Sequence, residues 1–181
     1  LGLVGFQSHL NVTGSPRTLN VGCGPSTQGT IRLDMNRRSK ATVLGLAFPM
    51  AFRDRTFDVV MAENILEHMP DPLSFLVECR RVLRPGGLLR LVTDNYGYRG
   101  WFPVLRWFED RHGAYRNPDT SEDRHYAIFG LQHVRNLLNE AGLRVVTVRL
   151  FTKWRPTVVQ RLLTMVHPNI GHSQIYAEAI A

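Results

Sequence analysis

The stretch Leu19-Asn20-Val21-Gly22-Cys23-Gly24-Pro25, followed by Thr30-Ile31-Arg32-Leu33-Asp34, decides the reading of this chain. A short apolar run ends in Gly-x-Gly, and a second ends in a lone aspartate. Glycine lets backbone approach a ligand closely. An aspartate at the tip of the next strand is placed to hydrogen-bond a ribose diol. Together they describe half of a nucleoside-binding site. A dinucleotide fingerprint wants a third glycine three positions after Gly24, where Thr27 stands. The nine residues between Gly24 and Asp34 leave little room for a crossover helix. A phosphate loop is disfavoured as well, because no Gly-Lys-Ser/Thr follows.

Outward from that turn, strand-like runs alternate with helical patterns. Arg17–Gly22, Thr30–Asp34, Ala41–Leu44, Phe57–Ala62 and Leu88–Thr93 are short, apolar and partly β-branched. Asp71–Leu83 reads as a helix, with Leu73, Leu76, Val77, Val82 and Leu83 in one stripe. Its Glu78, Arg80, Arg81 and Arg84 are expected to face solvent, and Pro85-Gly86-Gly87 to stop it. Leu131–Ala141 reads as a helix closed by Gly142, Leu143–Thr152 as an alternating strand, and Gln174–Ile180 as a final strand. Thr157–Val166 reads as a helix that is buried or covered in a dimer rather than lying on a membrane. The alternation predicts an α/β domain around a mostly parallel sheet. Tyr96–Phe129 breaks the rhythm with aromatic residues and arginines, a short helix at Val104–Arg111 and a polar loop at Asn117–Asp123. We read residues 1–181 as a single domain with a substrate-side insert at about 96–129.

At 181 residues and 44% hydrophobic content the chain is long enough to bury a full core. No apolar run approaches the roughly 20 residues of a membrane span. The opening Leu1-Gly2-Leu3-Val4-Gly5-Phe6 lacks the basic region of a signal peptide. Cys23 and Cys79 read as free thiols of a reducing, cytoplasmic compartment. The net charge is +7, and all but two of the 22 basic residues are arginine. Arginine favours phosphate and carboxylate partners, so an anionic acceptor ranks above nucleic acid, for which no basic–aromatic repeat appears. The histidines are scattered and no Cys-x-x-Cys pair occurs, so no metal site is expected.

Three further motifs follow in order. They are Pro49-Met50-Ala51-Phe52-Arg53-Asp54-Arg55-Thr56-Phe57-Asp58-Val59-Val60, Leu66-Glu67-His68-Met69, and Arg81-Val82-Leu83-Arg84-Pro85-Gly86-Gly87. With the glycine turn, this order and spacing resemble class I S-adenosylmethionine-dependent methyltransferases of the type 11 group, from about Arg17 to Leu150. The shortened first crossover also resembles small methyltransferases of polysaccharide and cell-surface biosynthesis. The resemblance implies a three-layer αβα sandwich with a Rossmann-like, seven-stranded, mostly parallel sheet in the order 3-2-1-4-5-7-6, its last strand antiparallel. It implies S-adenosylmethionine as cofactor. Val21, Gly22, Cys23 and Gly24 would form the turn under its methionine and ribose parts. Asp34 would hold the ribose hydroxyls, Met35 and Leu46 would contact the adenine, and Glu63 and Asn64 would end the fourth strand at the ligand edge. Family members often open the turn with an acidic residue and carry an aspartate after the third strand; this chain has Asn20 and Gly45 there.

The implied reaction moves a methyl group to O or N of a small-molecule or saccharide-type acceptor. RNA or protein methylation and a non-catalytic scaffold are the alternatives. Methyl transfer needs alignment and sometimes a base, so no fixed triad is expected. His68, just after the fourth strand, is the candidate base, since an unperturbed imidazole exchanges protons near neutrality. His125, Tyr126 and Tyr96 are positioned to touch an acceptor.

Overall fold

The computed structural model describes residues 15–97, 125–152 and 158–181. Seven strands form one sheet: β1 (Thr18–Val21), β2 (Ile31–Asp34), β3 (Val43–Leu44), β4 (Phe57–Glu63), β5 (Leu83–Asp94), β6 (Arg144–Phe151) and β7 (Gln174–Ile180). Their order is β3-β2-β1-β4-β5-β7-β6, as expected. The first five run parallel, and β7 is antiparallel to both β5 and β6. The central β4 is buried along nearly its whole length, which is why Phe57–Ala62 reads as an unbroken apolar run rather than an alternating one.

Four helices are described: α1 (Pro72–Val82), α2 (Leu131–Glu140), α3 (Val158–Val166) and the single turn α4 (Pro168–Gly171). Asp71 caps α1 by accepting the Ser74 N–H at 3.0 Å, with Pro72 in the first turn. Phe75, Leu76, Cys79 and Val82 of α1 meet Val134 and Leu138 of α2 in one core with Leu19, Val60, Ala62, Leu89 and Leu91. Val59, Met61 and Leu88 form a smaller cluster, their places alternating with those core residues along β4 and β5. The expected helix at Val104–Arg111 and loop at Asn117–Asp123 lie outside the described residues.

Two expectations need correction, and a third is narrowed. Glu78 is buried and Val77 is exposed, the reverse of the sequence reading. The segment Met50–Asp54 lies along that side of α1 and brings backbone groups that require partners. Glu78 accepts the Met50 N–H at 2.7 Å, and Arg81 donates to the carbonyls of Phe52 (2.9 Å) and Met50 (3.2 Å). Second, Pro85-Gly86-Gly87 does not separate helix from strand. Leu83 already pairs with Phe57, and the register resumes at Val59–Leu88, so the glycines form a bulge inside β5. In α3, Val158, Leu162, Met165 and Val166 are exposed in the single chain, which for these residues narrows the two expected placements to the dimer contact.

Candidate functional site

All five parallel strands end on the same edge, and the turn that opens the sequence reading sits there. The N–H groups of Gly22 and Cys23 both donate to the Leu33 carbonyl, at 2.8 and 3.2 Å, which folds the end of β1 toward β2. Gly22 and Gly24 have φ of +65° and +50°. A Cβ on Gly22 would lie 2.4 Å from Ile65 Cδ1, so a side chain there must displace Ile65 as well as hold a left-handed backbone. Among the described residues a Cβ on Gly24 would meet nothing within 4 Å, so on that side its backbone is open. That is the cradle a close-approaching ligand requires.

Asp34 stands beside it. Its Oδ2 accepts the Gly24 N–H at 2.7 Å and its Oδ1 accepts the Asn36 N–H at 2.8 Å. A carboxylate has about four acceptor positions, so these two bonds orient it and leave capacity for a diol. Met35 and Leu46 are 71% and 56% exposed. Gly45 connects them to the site, its N–H donating to the Asp34 carbonyl at 3.0 Å. Two large apolar side chains held in water beside one carboxylate suit the faces of a planar heterocycle. Bare backbone, an oriented carboxylate and apolar flanks are a donor set that fits S-adenosylmethionine.

Val21 and Cys23 are buried beneath this surface. Burial, and then the negative charge of Asp34, push the Cys23 thiol up, so it stays protonated. Asn20 does not face the cradle. Its Nδ2 donates to the Gln28 carbonyl (3.2 Å) and to Ser26 Oγ (3.3 Å), folding the short crossover back onto β1.

The second half of the edge lies at the ends of β4 and β5. Glu63 closes β4, half-buried. Asn64 takes a left-handed conformation (φ 53°), and its side chain is engaged by neighbours: Nδ2 donates to Glu67 Oε1 and Oδ1 accepts from Gln174 Nε2, both at 3.1 Å. A single 3₁₀ turn, Leu66–His68, follows. Glu67 is fully buried, and its Oε2 accepts the Thr93 hydroxyl at 2.8 Å. The His68 ring meets the His125 ring edge-on, with centroids 4.4 Å apart. His125 Nδ1 lies 3.6 Å from Asp94 Oδ2. Sequence reasoning singled out His68 and His125 separately but missed Asp94 and Glu67. The available signal was that Asp94 ends its strand as Asp34 and Glu63 end theirs.

A bare glycine turn and strand-end carboxylates on one edge of a 3-2-1-4-5-7-6 sheet define a nucleoside-cofactor α/β protein. Residues 21–91 match the family model described as a methyltransferase domain. Among solved structures, the chain is similar to a methyltransferase from Bacillus halodurans C-125 (TM-score 0.63, 18% identity, covering 94% of each chain). It is similar to the same degree to an S-adenosylmethionine-dependent methyltransferase from Archaeoglobus fulgidus (TM-score 0.63, 18% identity, covering 93% of this chain and 87% of that one). Among curated proteins, it is 44% identical over 49 residues to a ubiquinone biosynthesis O-methyltransferase of Histophilus somni, covering 27% of this chain and 21% of that one. The matches span about a fifth of the length of such relatives. Residues 21–91 are similar to the methyltransferase-domain family, and the fold built around them is that of the class I S-adenosylmethionine-dependent methyltransferases. Among the described residues no helix is long and apolar enough to cross a membrane.

Proposed function

We propose that this chain transfers a methyl group from S-adenosylmethionine to an oxygen of a small-molecule acceptor. The observation that carries this reading is the open backbone at Gly24, with the Asp34 carboxylate fixed beside it by a 2.7 Å bond. In this reading the Gly22–Gly24 backbone takes the methionine and ribose parts, Asp34 accepts the ribose hydroxyls, and Met35 and Leu46 hold the adenine. Glu63 closes the edge next to them, and Asn64 braces Glu67 and Gln174 from behind. When bound, the cofactor supplies an electrophilic methyl group on a sulfonium. The protein's contribution is alignment of the acceptor and removal of its proton.

The acceptor side adjoins Asp94. A cavity of about 470 Å³ is lined by Arg149, Phe151, Arg161, Met165 and His172 among others. His172 ties it to the edge, its carbonyl accepting the Asn95 Nδ2–H at 2.7 Å. The volume suits a small molecule, and the arginines suit one with an anionic group. The oxygen acceptor follows the curated relative, named as an O-methyltransferase.

Calorimetric titration with S-adenosylhomocysteine tests the reading. Saturable binding is expected, weakened by about 1–3 kcal/mol in Asp34→Ala. No detectable binding by folded protein at millimolar ligand overturns it. A labelled-methyl screen of extract fractions then separates small molecules from RNA, whose binding would fall steeply with salt.

A further inference from the structure

Resting on that reading, we propose that Asp94 and His125 form an acid–base pair at the acceptor side, in which His125 takes the proton of the acceptor hydroxyl and Asp94 is the positioning residue that fixes which ring nitrogen does so. The two side chains are 9% and 15% exposed, at the end of β5 and just ahead of α2. Each is held from behind. Asn95, fully buried next to Asp94, donates from Nδ2 to the carbonyls of Asn169 (2.8 Å) and His172 (2.7 Å) and from its N–H to that of Ser173 (3.0 Å). On the other side, the Tyr126 N–H donates to the Glu67 carbonyl at 2.7 Å. The edge-on His68 ring then sets the plane of His125, at 80°. His68, the base expected from the sequence, becomes the wall against which the base is held.

A carboxylate facing Nδ1 favours the tautomer that carries its proton there and leaves Nε2 as the acceptor. The 3.6 Å contact is longer than a hydrogen bond, a length common in sites that hold no substrate. In the step itself the acceptor O–H bond breaks and its proton passes to Nε2. The oxygen lone pair forms the new bond to the methyl carbon. The carbon–sulfur bond breaks with its electron pair staying on sulfur, which becomes a neutral thioether. The imidazolium afterwards releases its proton to water.

Nitrogen-15 imidazole spectra of the protein without cofactor test the pairing directly. We expect His125 to be protonated on Nδ1 in the wild type and to change toward Nε2–H in Asp94→Asn. Wild-type His125 protonated on Nε2, or a tautomer indifferent to Asp94→Asn in a folded variant, overturns the pair. The wild-type spectrum decides even if the variant does not fold. S-adenosylhomocysteine titration runs alongside: absent binding in the wild type overturns the methyltransferase reading, whereas normal binding with the wrong tautomer overturns only the pair. In methyl transfer to a series of substituted phenols, His125→Gln is expected to lower the rate about 100-fold or more with cofactor affinity within twofold. An unchanged rate overturns the assignment.

Discussion

The two ends of the parallel strands solve the same problem in different ways. At the amino end, carboxylates are closed by arginine. Asp58 pairs with Arg84 at 2.5 Å and also accepts the Arg17 N–H at 2.6 Å. Glu78 takes two bonds from Arg81, at 2.7 and 2.8 Å, while Asp54 takes a third at 2.5 Å. At the carboxyl end, Asp34 is held by backbone N–H groups, Glu67 by an amide and a hydroxyl, and Asp94 faces an imidazole. A guanidinium fork fills a carboxylate's acceptor positions with charge and geometry. Two backbone N–H groups orient Asp34 and leave it able to accept more. The contrast predicts that the first end serves stability and the second binding.

That contrast fails if the amino end governs binding or the carboxyl end governs stability. The largest expected effect is at Glu78. Glu78→Ala leaves the part-buried Arg81 without its main partner and should cost about 2–4 kcal/mol in urea unfolding, with cofactor affinity in the surviving folded fraction unchanged. The Arg81 hydrogen bonds hold the Glu78 carboxyl below the usual carboxylate range. A lowered folded-state pKa stabilises above the unfolded value of about 4.3 and loses that contribution as pH falls through the folded one. The gap between wild type and variant should therefore narrow in acid.

Next comes Gly22→Ala, whose Cβ would strike Ile65; a loss of about 1–3 kcal/mol in stability is expected from overpacking. Gly24→Ala meets no neighbour among the described residues, so it should cost only about 1 kcal/mol in stability, from its left-handed backbone, while weakening S-adenosylhomocysteine binding more than it weakens the fold. Equal stability losses at the two glycines would erase the distinction between a packed and a ligand-facing turn. The smallest effect is expected at Arg84→Ala. Its side chain is 38% exposed, so screening by water should limit the loss to about 0.5–1 kcal/mol.

What could be read from the sequence was what is local. The turn from Leu19 to Asp34 and the strand β7 are fixed by neighbours in the chain, and they stand where their residues put them. The amphipathic face of α1 was misread because Glu78 is buried by a segment brought over it from elsewhere, and no helical period records that. Leu83 was assigned to the helix because its apolar spacing continues the stripe; pairing with Phe57 claims it for the sheet instead. The same limit hid the pairing of Asp94 with His125. Each residue is visible alone, but their meeting depends on β5 and the return to Phe129 sharing one edge.

That return carries a consequence for how such a chain changes. Tyr96 donates its N–H to the Phe129 carbonyl at 2.8 Å, Asn95 bridges to Phe129, and Tyr126 is tied to Glu67. Both departure and arrival of the intervening stretch are thus stitched to the scaffold by main-chain bonds that no side chain in the stretch supplies. Doubling the length of a closed loop adds only about 0.6 kcal/mol of closure entropy. Exchanging the stretch between those two stitches should therefore leave the cofactor half of the edge with its geometry.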